Sequence, residues 1–183
     1  MKKLIITCLG VLGLANSSCV YALDDTRYAS VQFNFSVEVL QKNCKVAISP
    51  VDGTNNVDVG TLFKQVGSVG PIVPLKFRFS DCKGADAIES ISYSRDMNGQ
   101  GHVENMPYVS TLMDSKPSSV RIYLYKDAMA TLPFTPINFG TSGQKITNEW
   151  VDICYIQAKI PNNQTLPDAG VFTGQALFTI TYL

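Results

Sequence analysis

From Gly170 to Leu183 the sequence GVFTGQALFTITYL alternates apolar and polar side chains. Phe172, Ala176, Phe178, Ile180 and Tyr182 fall on one face, and Thr173, Gln175, Thr179 and Thr181 on the other. This is the period of a half-buried strand, in which successive side chains point to opposite faces of a sheet. A slip of one residue would turn the whole apolar set toward solvent, so the register of this segment is tightly specified. Residues 31–39, 45–48, 57–62, 73–81, 87–93, 120–125 and 150–160 also read as strands. The stretches between them (SPVDGTNN, GSVGPIVP, RDMNGQGHVENMP, LPFTPINFGTSG and PNNQTLPDAG) are built from the glycine, proline, asparagine and serine that turns use. No segment sustains a helical period. The pattern predicts an all-β sandwich, with a small β-barrel as the alternative. Without a repeat or a linker to divide it, one domain should occupy most of residues 23–183.

The N-terminus predicts export. Met1-Lys2-Lys3 is a short positive region, residues 4–15 form an apolar run too short to span a bilayer, and Val20-Tyr21-Ala22 supplies a small residue for cleavage after Ala22. Asn16, three positions before Cys19, stands where a lipoprotein signal wants an aliphatic residue, so no lipid anchor is expected. Nor does any second apolar run reach the length of a transmembrane helix. Without Lys2 and Lys3, thirteen of the fifteen basic residues remain against fifteen acidic ones, a net charge of −2. That balance has no basic stripe with which to bind a nucleic acid backbone.

Cys8 and Cys19 leave with the signal, and Cys44, Cys82 and Cys154 remain in an oxidising compartment, where one pair and one leftover are expected. Along VDICYIQAKI, Cys154 shares a face with Ile156, Ala158 and Ile160, the position of a buried thiol packing as a small hydrophobe. Enzyme chemistry finds little footing. The single histidine, His102, sits in a loop-like stretch, so a hydrolase triad lacks its base and a histidine-rich metal site lacks its ligands. Asp24, Asp25, Asp81 and Glu104 are scattered, and no glycine-rich phosphate loop follows a strand. No catalytic residue, metal or cofactor is therefore assigned.

The glycine fourteenth from the end, Gly170, and the penultimate Tyr182 resemble the C-terminal signature of chaperone-usher pathway fimbrial (pilus) subunits. VDVGTL (57–62), SSVRIYLYKD (118–127) and CYIQAKIP (154–161) are similar to further blocks of that family, in the same order. The resemblance implies a disulfide between Cys44, after the first long strand, and Cys82, at the end of VPLKFRFSDC. It also implies an incomplete immunoglobulin-like β-sandwich that lacks its last strand and keeps a groove beside the C-terminal strand. A periplasmic chaperone fills that groove during export through the outer-membrane usher, and the N-terminal extension of a neighbouring subunit fills it in the fibre. On this pattern residues 1–22 are the signal peptide, 23–42 the donor extension and 43–183 the pilin domain. Gly170, Phe172, Ala176, Phe178, Ile180, Tyr182 and Leu183 would line the acceptor groove and meet the chaperone.

The extension itself alternates. In SVQFNFSVEV, Val31, Phe33, Phe35, Val37 and Val39 share one face, an arrangement that also suits an ordinary edge strand; the resemblance makes them donor knobs. Most donor strands of the family carry a glycine seven residues before the first cysteine. Val37 occupies that place here, and a β-branched side chain should clash with a groove shaped for glycine. An isolated chain would need a chaperone, a donor peptide, or its own N-terminal strand folded back into the groove. The expected function is thus a structural subunit of a bacterial surface fimbria supporting cell adhesion. The alternative is a minor fimbrial subunit that binds a receptor through loops 96–107 and 133–143, whose aromatics are limited to Tyr108, Phe134 and Phe139 with the flanking positions counted.

Overall fold

A computed structural model of the chain describes residues 28–39, 43–50, 56–96 and 107–183, with the backbone alone at 28, 29, 35–39, 43 and 94–96. Eleven strands run through these residues: β1 (Tyr28–Val39), β2 (Asn43–Ser49), β3 (Asn56–Phe63), β4 (Val69–Lys83), β5 (Ala87–Asp96), β6 (Tyr108–Met113), β7 (Lys116–Tyr125), β8 (Ile137–Asn138), β9 (Gln144–Lys145), β10 (Trp150–Lys159) and β11 (Val171–Tyr182). Their pairing follows the order β2-β4-β10-β7-β6-β11-β1-β3, with β5 on β11 and the short β8 and β9 on β5. The path ends on β2 and β3 and does not close, which favours the sandwich over the barrel.

The fold is all-β, with a mixed and sandwich-like sheet. Alternation along β3, β4 and β11 sends Val57, Val59, Leu75, Phe77, Phe79, Phe172, Ala176, Phe178 and Ile180 into one core with Ile122, Leu124 and Ile156. Aromatic rings join β4 to β11 across that core: Phe77 meets Phe178 edge-on at 5.6 Å and Phe79 meets Tyr182 at 6.5 Å. Offset and edge-on arrangements of this kind suit the ring quadrupole. β6 carries the sheet from β7 across to β11, pairing with the latter only at Thr173 and Gly174.

Besides the short β8 and β9, which the sequence reading lacks, the strand reading needs correction at β4 and β6. The stretch GSVGPIVP is not a break, because β4 begins at Val69 and pairs with β10 from there. Pro71 and Pro74 are tolerated since β2 covers β4 only from Lys76 onward, leaving one side of the earlier half without a ladder that a missing N–H would interrupt. Strand β6 was hidden because its burial does not alternate: Tyr108, Val109, Ser110 and Thr111 are all buried. The Thr111 hydroxyl is satisfied there by donating to the Val120 carbonyl at 2.8 Å.

Candidate functional site

The site is the place of β1 between β11 and β3. β11 presents Phe172, Gly174, Ala176, Phe178 and Ile180 inward, all buried. β1 lies beside it in parallel register, with Val31 opposite Phe172, Phe33 opposite Gly174, Phe35 opposite Ala176, Val37 opposite Phe178 and Val39 opposite Ile180. On its other side β1 pairs antiparallel with β3, from Tyr28 opposite Phe63 to Asn34 opposite Asn56. Val31 and Phe33 are fully buried. At about 1.5–3 kcal/mol for each large apolar side chain removed from water, these two residues alone bind the segment firmly to the domain. The N-terminal strand of the chain thus lies between β11 and β3.

The direction of β1 follows from its tether. Three residues, 40–42, separate Val39 from the start of β2, and four Cα steps reach at most about 15 Å. β2 is fixed in turn, since Cys44 is disulfide-bonded to Cys82 of β4. Val39 must therefore lie at the end of β11 near Ile180, where the parallel ladder puts it.

Large side chains of one strand stand opposite small ones of the other. Phe33 faces Gly174, and a methyl group built on that glycine would come within 2.9 Å of Ile122 Cδ1 and 3.2 Å of both Phe33 Cδ2 and Val109 Cγ1. A side chain here would have to push these three groups back, so the close approach favours glycine. Gly174 lies four residues before Phe178, the ladder partner of Val37. The ladder continues unbroken through Val37, whose side chain lies outside the described residues, as do those of Phe35 and Val39.

β3 is shaped for its role by a bulge. Val31 pairs with Gly60 and Gln32 with Asp58, which leaves Val59 as the extra residue. Gly60 takes a positive φ of 87°, and a Cβ there would stand 2.5 Å from Pro71 Cγ, so only glycine fits. The Asp58 carboxylate accepts the Gly60 N–H at 2.8 Å and holds the turn.

The remaining groove residues divide. Gly170 precedes β11, and its carbonyl accepts the Ser30 N–H at 3.1 Å, starting the β1 ladder. Tyr182 is half-buried, with a buried hydroxyl that has no hydrogen-bond partner among the described residues, and burial raises its pKa to about 12. Leu183 is exposed and donates its N–H to the Ala87 carbonyl at 3.0 Å. It and Tyr182 stand beyond the β1 ladder, which ends at Ile180. The sequence reading missed Gly174, Val57, Val59 and Leu62, although period two places Gly174 on the same face as Phe172 and Ala176.

Residues considered for other chemistry are placed as follows. Asp81 forms an exposed ion pair with Lys45 at 2.6 Å, of a kind that contributes little to stability. Cys154 is buried in the core and desolvation pushes its thiol well above the usual range, which makes it unreactive. His102, Asp24, Asp25 and Glu104 lie outside the described residues, as does most of loop 96–107. Tyr108 and Phe134 are buried, Phe134 packing edge-on to Phe178 at 6.1 Å, and Phe139 is packed against the core. Phe134 and Phe139 face the core, whereas Tyr108 lies on the other face of β6, beside Tyr123 at 5.7 Å and under the Arg121 guanidinium at 4.5 Å. Among the described residues no group of three or more potential metal ligands occurs, and no helix is long and apolar enough to cross a membrane.

No protein-family model matches the sequence, and no curated protein does either.

Proposed function

We propose that the chain is a structural subunit of a bacterial surface fimbria that supports cell adhesion, with an immunoglobulin-like sandwich completed by a donor strand. It is exported to the periplasm, handed by a periplasmic chaperone to the outer-membrane usher, and linked to neighbouring subunits by strand exchange. It has no catalytic role and needs no cofactor.

The observation that carries this reading is the seat of β1, an N-terminal strand outside the Cys44–Cys82 bridge, joined by a short connection and running between two strands that would otherwise expose their edges. Unpaired edges of this kind are templates for another chain's strand, with backbone bonds giving a generic ladder and alternate side chains filling pockets. In the isolated chain β1 covers its own groove. In the fibre, the equivalent strand of a neighbour takes that place and β1 is released to fill the next. The packing of Phe134 and Phe139 against the core weighs against a receptor-binding module built on loop 133–143.

The test is capture of a free strand. The exported chain is unfolded with its disulfide intact and refolded with excess fluorescent peptide of residues 28–39. Peptide that stays with the chain through gel filtration is the expected result, and refolded chain free of label refutes the reading.

A further inference from the structure

We infer that the outer face of strands β6, β7 and β10 binds an anionic saccharide, with Arg121 and Lys159 as the cations that recognise it. The site does not involve β1 or its seat, so this inference and the strand-exchange reading can each fail alone.

Period two sets the face. Ile122 and Leu124 of β7 and Ile156 and Ala158 of β10 point into the core, so Arg121, Tyr123, Gln157 and Lys159 point away from it. Tyr108 joins them from β6, opposite Tyr123. The ladder places Arg121 directly across from Lys159. Like charges at directly opposite positions destabilise a sheet. A neighbouring carboxylate would remove that cost. Among the described residues, ion pairs are made by Lys45, Lys64 and Lys76, and neither Arg121 nor Lys159 meets a carboxylate. Each cation lies instead over aromatic rings, Arg121 at 4.5 Å from the Tyr108 centroid and Lys159 at 4.9 Å from Tyr125 and 5.6 Å from Tyr123. The rings hold the two charges in place without cancelling them. An uncompensated pair of this kind fits an anion from outside.

Two cavities flank the pair. Arg121 and Tyr108 line one of about 310 Å³ together with Ser118, Ser119, Gln164 and Thr165. Small-ligand sites begin at roughly this size. Lys159 and Tyr123 line a second of about 190 Å³ with Asn162. The segment that supplies Asn162, Gln164 and Thr165 is tied down at its start. The Gln164 N–H bonds the Pro161 carbonyl at 3.1 Å, and the Gly67 N–H bonds the Ile160 carbonyl at 2.9 Å. On the opposite wall the Ser118 hydroxyl accepts the Val120 N–H at 3.1 Å and can offer its own proton to a guest.

The chemistry selects the ligand. A guanidinium presents a planar fork of donors to a carboxylate or a sulfate, and its seat on Tyr108 limits the freedom lost on binding. Hydroxyls and side-chain amides both donate and accept, which suits the hydroxyl groups of a sugar. Single-stranded nucleic acid wants bare rings on which bases stack, and the rings here lie under cations. A bilayer surface wants exposed apolar groups beside the cations, whereas the wall around Arg121 is chiefly polar. One acidic sugar beside Arg121, with a second acidic group at Lys159, uses both cavities and both charges.

Isothermal titration of the exported chain with a heparin oligosaccharide, a galacturonate oligomer and a neutral dextran tests this. Heat from heparin alone marks a sulfated ligand, heat from galacturonate marks a carboxylated one, and dextran should give none. Arg121→Gln/Lys159→Gln should weaken binding by about tenfold or more. Lys83→Gln/Lys145→Gln removes two exposed lysines elsewhere and should leave affinity unchanged. Ser119→Glu puts a carboxylate into the Arg121 cavity and should abolish binding, which keeps the test decisive if the double variant does not fold. The inference is overturned if neither acidic probe binds, if dextran binds as well as they do, or if the control pair lowers affinity as much as the site pair. Binding to phosphatidylglycerol vesicles with none to the saccharides would also overturn it.

Discussion

Replacing Gly174 with alanine tests the notch on which the β1–β11 register depends. The added methyl group would stand 2.9 Å from Ile122 Cδ1 and 3.2 Å from Phe33 Cδ2 and Val109 Cγ1, all in a buried core. Overpacking of this sort costs about 1–3 kcal/mol. Replacing a strand glycine returns about 0.5–1 kcal/mol of backbone entropy. The two ranges leave a net loss of about 0–2.5 kcal/mol, with its midpoint at ~1.3 kcal/mol or roughly 3–5 °C in Tm at about 2–4 °C per kcal/mol for a chain of this size. Phe33→Ala, which empties a fully buried site, should cost about 3–5 kcal/mol. In the double variant one of the three close contacts is gone, so the two costs should fall short of their sum by at least about 0.5 kcal/mol. Urea denaturation of the four proteins measures each value. Gly174→Ala that is more stable than the parent, or costs that simply add, would refute the notch.

Three further outcomes follow from the same structure. Reducing the Cys44–Cys82 bridge, which closes a separation of 38 residues, should lower stability by about 4 kcal/mol in the chain-entropy model, seen as a lower urea midpoint in the presence of reductant. Tyr182→Phe removes a buried hydroxyl without a partner among the described residues and should be neutral or slightly stabilising at neutral pH. Because burial raises the Tyr182 pKa to about 12 from an unfolded value of 10.0, the folded state holds its proton more tightly. The parent should therefore lose stability as pH rises from about 10 toward 12, and the variant should lose less over that window in alkaline denaturation curves. Cys154, buried and desolvated, should give no reaction with a thiol reagent in the folded exported chain and one equivalent on unfolding.

Period two made the long strands legible, since β3, β11 and the core half of β4 bury one face in the alternation their sequences spell. β6 escaped because four consecutive buried residues leave no period, and β8 and β9 because two residues cannot show one. The prolines of β4 read as turn formers, and only the absence of β2 beside them makes them acceptable in a strand. At the candidate site, Val31 and Phe33 and the inward face of β11 were visible as apolar positions. Their pairing was not, because a knob-and-notch match between Phe33 and Gly174 exists only once the register brings together residues far apart in sequence. Glycine carries no hydrophobic signal, so Gly174 was read past although its place on the face was determined.

The proposed role requires that β1 complete the domain. Thermal unfolding of the exported chain with and without residues 23–41, followed by addition of that segment as a peptide, tests this dependence most directly. A large drop in Tm on truncation, reversed by the peptide, is the predicted result. A truncated domain that unfolds at the parent's temperature and ignores the peptide would contradict it.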